Sequence, residues 1–135
     1  MKHKYNEKFK KLVRKAVSDY TGKLGYHHYE TKVHWYDENL EPNHNGDVVL
    51  AQCSVDHRYL LADFKIYPAL ELKWLKKKYD EEDVRRCVAH EVAHIATHKL
   101  HYMATSLYKD EGETTDAWEA LTTVVGRLLY DVEKK

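Results

Sequence analysis

Hydrophobic positions recur along this chain in two rhythms, and the switches between them mark out helices and strands. Between Asn6 and Tyr20, the residues Phe9, Leu12, Val13, Ala16, Val17 and Tyr20 return at helical spacing with lysines between them, which gives a helix one apolar face. Gly22 and Gly25 are expected to stop it. From Thr31 to Tyr36 the period shortens to two, with Val33 and Trp35 set against Lys32, His34 and Tyr36. That is the pattern of a strand. Glu41 to Asp47 is dense in Pro, Asn and Gly and reads as a turn. Val48 to Val55 follows as a second strand and Tyr59 to Tyr67 as a third. In the third, Leu60, Ala62, Phe64 and Ile66 alternate with Leu61, Asp63 and Lys65. Only Asp56, His57 and Arg58 separate the two, few enough for a hairpin.

Pro68 ends the third strand, and Leu70 to Tyr79 is a connector, helical in part, with Leu72, Trp74 and Leu75 to bury. Asp80 has the chemistry of an N-cap, and Glu81, Glu82 and Asp83 fill the first turn, where the helix dipole favours acids. The helix that starts there is expected to run to about His101. A loop with Asp110, Glu111 and Gly112 follows, then a last helix from about Thr115 to Val132. No repeat or linker divides the 135 residues, so one domain over 1–135 is expected. The class is α+β: an N-terminal helix, a small three-stranded, mainly antiparallel sheet, and two C-terminal helices.

Composition narrows the function by exclusion. The chain carries 22 basic and 22 acidic residues, a balance that argues against a general nucleic-acid or membrane-surface binder. The basic run Lys2 to Lys15 and the acidic run Asp80 to Asp83 read as solvated helix faces or ends. Cys53 and Cys87 lie far apart and form no metal-type pair. No signal peptide and no apolar run of membrane-spanning length is visible, so a reducing, cytoplasmic setting is expected.

The chemistry sits in the fifth segment. His90-Glu91-Val92-Ala93-His94 is an H-E-x-x-H motif. Residues four apart on a helix share a face one turn apart, so the two imidazoles can bind one tetrahedral zinc. Glu91 is roughly 100° round from His90, and its carboxylate can reach a water on that metal without being a ligand. Zinc brings such a water to a pKa of roughly 7, where a carboxylate can take its proton.

A third protein ligand must come from another element. His98 shares the face of His94, but it stands roughly 12 Å from His90 along the axis, and His101 fails for the same reason unless the helix breaks. The last helix has an apolar stripe of Trp118, Leu121, Val125, Leu128, Leu129 and Val132. A charged stripe holds Glu113, Asp116, Arg127 and Asp131. A third stripe holds Thr115, Glu119, Thr122, Thr123 and Gly126. That third stripe is small-sided, suits close approach to another helix, and carries Glu119 as its lone carboxylate. Glu119 is the first choice for the ligand, with Asp116 and Glu113 behind it. Glu111 is a further candidate.

On these residues the chain resembles the zincin metallopeptidases, specifically the gluzincin-like group with H-E-x-x-H on one helix and Glu on the next. The likeness covers roughly Tyr59 to Leu129, and small phage- and mobile-element-encoded zincin-like domains are most similar in size and element order. The resemblance implies His90, His94 and Glu119 as zinc ligands and Glu91 as general base in peptide-bond hydrolysis. It implies that a strand reading Leu61-Ala62-Asp63-Phe64-Lys65-Ile66-Tyr67-Pro68 precedes the motif helix. That third strand, 59–67, would be the edge lining the cleft, where an extended peptide or protein substrate adds as a further strand. The metzincin extension is missing, with Thr97 and Leu100 where Gly and His would stand. An oxyanion-stabilising Tyr or His is also implied, with His98, His101, Tyr102 and Tyr108 as candidates. A catalytically weak or inactive zincin-like domain, stabilised by zinc and used for protein binding, is the alternative, because the chain has little length for a second subdomain.

Overall fold

Asn6 opens the first helix by accepting a hydrogen bond from the Lys8 amide, so α1 runs Glu7–Lys23. Phe9, Val13, Ala16 and Tyr20 along it are fully buried, each of the larger ones worth roughly 1.5–3 kcal/mol of burial. Gly22 lies inside α1. The stop belongs to Gly25, at φ 79, with Tyr26 N–H donating to Thr21 O and Gly25 N–H to Gly22 O. Those two bonds make a Schellman cap, which needs the left-handed residue that glycine supplies.

In the computed structural model the chain is described over residues 2–107 and 111–134, and its side chains over 2–98, 101 and 115–131. The strands are β1 Glu30–Trp35, β2 Ala51–Asp56 and β3 Leu61–Ile66, followed by α2 Pro68–Leu75, α3 Glu81–Leu107 and α4 Glu111–Lys134. Pro68 therefore does two things. It ends the strand, and it opens α2 in the first-turn position where its missing N–H costs nothing. At the start of α3, Asp80 and Asp83 each accept from the other's amide, at 2.9 and 3.0 Å, a reciprocal cap. Asp110, expected in the loop before α4, lies outside the described residues.

The sheet is mixed, in the order β1-β3-β2. β2 and β3 form the expected antiparallel hairpin, Ala51 opposite Ile66 and Asp56 opposite Leu61. β1 pairs with β3 in parallel, Glu30 opposite Leu61 and Trp35 opposite Ile66. This corrects one expectation. The third strand, 59–67, is not an edge: it has a partner on each side, and its backbone is used up by β1 and β2. The edges are β1 and β2, so no further strand can add to β3. Ala62, Phe64 and Ile66 of β3 point into the core as their alternation requires.

The buried residues form one cluster that draws on α1, β2, β3, α2, α3 and α4. In α3, Val88, Ala89, Val92, Ala93 and Ile95 are all buried, because neighbours cover it on more than one side. It packs against α4 as well as against α1 and β2. The buried face of α4 is only in part the apolar stripe expected from sequence. Leu121 and Leu128 are exposed, while Thr122, Gly126, Leu129 and Tyr130 turn inward. The small-sided stripe is the one that meets α3. No described helix is long and apolar enough to cross a membrane.

Candidate metal centre

His90 and His94 stand one turn apart on the α3 face that looks toward α4. Their ring centroids are 5.0 Å apart and the planes nearly perpendicular. Across the helix interface, Glu119 reaches both: His90 Nε2 lies 3.1 Å from Glu119 Oε2, and His94 Nε2 lies 3.3 Å from Glu119 Oε1. Glu91 Oε1 is 3.7 Å from His94 Nε2. Among the described residues, His90, Glu91 and His94 are a group whose ligand atoms all fall within 4.8 Å of one another, fit to hold a metal ion. Glu119 comes closer to His94 than Glu91 does.

These distances suit the donor set of a small divalent ion. Ligand atoms at about 2.0–2.1 Å from a tetrahedral centre are about 3.3 Å from each other, the spacing of Glu119 from the two imidazoles. The back of each ring is also provided for. Thr123 Oγ1 is 3.4 Å from His90 Nδ1, and Thr122 Oγ1 is 3.4 Å from His94 Nδ1. Such partners on the far nitrogen fix ring orientation in metal sites. Thr122 is in turn 2.8 Å from Thr97 Oγ1, which accepts from Trp118 Nε1 at 2.8 Å.

Burial sets the charge states. It pushes His94 down to about 4 against the pull of Glu119, so the ring is neutral at neutral pH, the form a metal requires. Burial, and after it the Glu119 carboxylate, raises Glu91 well above the usual carboxylate range. Glu119 moves the other way, held down chiefly by its hydrogen bond with His90. Two carboxyls one helix apart thus have opposite tendencies: one stays ionised and the other takes a proton readily. Burial also pushes the Cys87 thiol up to about 12, with Glu91 adding to it, which keeps it from acting as a thiolate beside the group.

A cleft of about 670 Å³ opens beside this centre, lined by His90 and Glu91 but not by His94 or Glu119. Its walls include His90 and Glu91, Cys87 one turn earlier, Gly126 and Tyr130 of α4, and residues 49–51 leading into β2. Comparisons with family models, curated proteins and solved structures find no significant match. What the site can do must therefore be read from its own geometry.

Of the other expected candidates, those among the described residues do not join the ligand atoms of this centre, although His98 and His101 act on His94 electrostatically. His98 turns toward His57, ring centroids 5.4 Å apart. His101 stacks on Trp118 at 4.0 Å. Asp116 is exposed on the outside of α4. The side chains of Glu111, Glu113 and Tyr102, and Tyr108 as a whole, lie outside the described residues. Sequence reasoning missed the part played by Thr122 and Thr123, although their stripe was visible. Trp118, a member of the apolar stripe in the sequence, packs its ring on His94 at 4.5 Å and on His101.

Proposed function

We propose that this chain is a zincin-type metallopeptidase, with zinc held by His90, His94 and Glu119 and with Glu91 as the general base. The observation that carries the reading is the meeting of two Nε2 atoms, one turn apart on α3, with the two oxygens of a single carboxylate from α4. Two imidazoles and a carboxylate suit zinc better than magnesium or calcium. When bound, the ion would supply a Lewis acid that acidifies a water and polarises a carbonyl.

The remaining steps belong to the protein. Glu91 takes the proton of the attacking water and passes it to the amide nitrogen as the C–N bond breaks. Its raised pKa brings it toward the operating range of a general base. Thr122 and Thr123 hold the two imidazoles in orientation. An extended peptide can lie along residues 49–51, which line the cleft ahead of edge strand β2, and β2 takes the substrate-side role first expected of the third strand.

Three variants test this. Glu91→Gln is expected to keep the ion and to lose hydrolysis of denatured casein or of a mixed peptide library. Glu119→Ala is expected to weaken zinc binding by more than the roughly 10–100-fold that loss of an outer partner costs, while Asp116→Ala leaves it alone. Equal zinc retention in Glu119→Ala and Asp116→Ala would remove Glu119 from the ligand set. Undiminished hydrolysis by Glu91→Gln would remove Glu91 from the chemistry.

A further inference from the structure

Two half-buried histidines outside this centre meet between the β2–β3 turn and α3. His57 sits in the turn between β2 and β3. His98 is one turn beyond His94 on α3. Their ring centroids are 5.4 Å apart with the planes tilted by 42°. Nε2 of His57 and Nδ1 of His98 are both shut off from solvent, and neither has a hydrogen-bond partner among the described residues. A buried polar atom left in that state costs about 1–3 kcal/mol. Two such atoms on neighbouring rings are an arrangement that one shared ligand would relieve.

The far side of His57 is prepared for a ligand. Its Nδ1 lies 2.6 Å from the Tyr29 hydroxyl, and Tyr29 is itself packed edge-on against Tyr26 at 5.2 Å. A hydrogen bond on one ring nitrogen fixes the tautomer and aims the other, as in metal-ligating histidines. The ring spacing agrees. With nitrogen at about 2.0–2.1 Å from an ion and the ring centre about 1.2 Å farther out, two imidazoles at a tetrahedral angle place their centroids about 5.2 Å apart. His90 and His94 stand at 5.0 Å and His57 and His98 at 5.4 Å, on either side of that value.

We propose that His57 Nε2 and His98 Nδ1 form a second metal site, for an imidazole-seeking divalent cation of the zinc, nickel or copper class. It is a separate site, because His98 lies about 6 Å beyond His94 along the helix axis. Two imidazoles leave coordination positions open for water or for an acidic group of a bound molecule. Asp56, at the end of β2, acts electrostatically on His98. Its carboxylate, 3.5 Å from the Arg58 guanidinium, is the acid that can complete the set if that pair opens.

The test is zinc titration of the full, metal-stripped chain, followed by calorimetry and elemental analysis. Wild type is expected to bind two equivalents, the second more weakly. His57→Gln and His98→Gln should each lose the weaker equivalent and keep the tighter one, whereas the His90→Gln, His94→Gln double variant should do the reverse. Tyr29→Phe should weaken the second ion about tenfold. Bound zinc unchanged by both His57→Gln and His98→Gln overturns the proposal, whether the excess metal sits on surface histidines or a water bridges the two rings. If a variant fails to fold, imidazole nitrogen NMR of wild type reads the site directly. Zinc must shift His57 Nε2 and His98 Nδ1, and unmoved signals sink the idea. Failure of the first centre looks different: the weaker equivalent survives and only His90 and His94 stay silent.

Discussion

Gly126 lies against the backbone of His90, so closely that a methyl group on it would stand 3.0 Å from the His90 Cα and 3.2 Å from its amide nitrogen. This contact sets the spacing of α3 and α4, and through it the distance from Glu119 and Thr123 to the two imidazoles. Gly126→Ala gains roughly 1 kcal/mol of helix propensity. The methyl, however, meets backbone that cannot swing aside, and overpacking costs about 1–3 kcal/mol. A fall of roughly 5 °C in Tm is expected, together with weaker zinc binding. A melting temperature equal to or above that of wild type would show that the helices separate freely.

Thr122 and Thr123 differ in a way that separates orientation from packing. Both face an Nδ1 at 3.4 Å, but only Thr122 is fully buried and bonded to Thr97. Thr122→Val and Thr123→Val are each expected to weaken metal binding by roughly tenfold. Thr122→Val should also lower the unfolding free energy obtained from urea denaturation, by about 1 kcal/mol or more. Zinc affinity unaffected by either change would mean that the ring backs need no partner.

Acid acts on the metal-free protein through His94. Its folded pKa of about 4 lies below the ordinary 6.5, so between those values the unfolded chain holds a proton that the folded chain refuses. Stability is then lost as pH falls from about 6.5 toward 4. Glu119, with its lowered pKa, works in the same sense, its contribution fading as it protonates. Glu91, with its raised pKa, works in the opposite sense at higher pH. Ring-proton NMR in the presence of chelator should find His94 neutral down to about pH 5, and an inflection near 6.5 would contradict its burial.

How much of this could be read from residue order differs from place to place. The H-E-x-x-H spacing and the small stripe through Glu119 and Gly126 are local patterns, and the side chains they single out stand close together in the structure. The two leucines of α4, Leu121 and Leu128, were misread because apolar identity does not say which of two faces a neighbour covers. The Thr122–Gly126 face won, since only small side chains allow the backbones to approach. Strand β1 shows the other limit. The alternation of Val33 and Trp35 marks a strand but carries no information on its partner, and a non-local parallel pairing moved β3 from edge to centre.

Glu71 escaped notice for a similar reason, being one acid among several in a connector. In the structure it is 1% exposed and accepts from the Asn6 amide at 2.7 Å and from His3 Nε2 at 2.8 Å. It fastens the segment ahead of α1 to α2. Glu71→Ala is expected to lower unfolding free energy by about 2–4 kcal/mol with zinc content unchanged, as chemical denaturation and elemental analysis would measure. A variant as stable as wild type would show the clasp to be idle.

The parallel register of Glu30–Trp35 on Leu61–Ile66 also makes β1 depend on a strand that follows it in the chain. The hairpin of β2 and β3 closes over a short turn and can zip up from local contacts. The first strand has no template until β3 has been laid down, and the intervening stretch must arch past the end of β3 to reach β2. Closing that longer connection costs more conformational entropy than closing the hairpin turn. The earliest-synthesised strand therefore pairs with the last, while α3, which carries His90 and His94, packs on β2, the other half of the sheet.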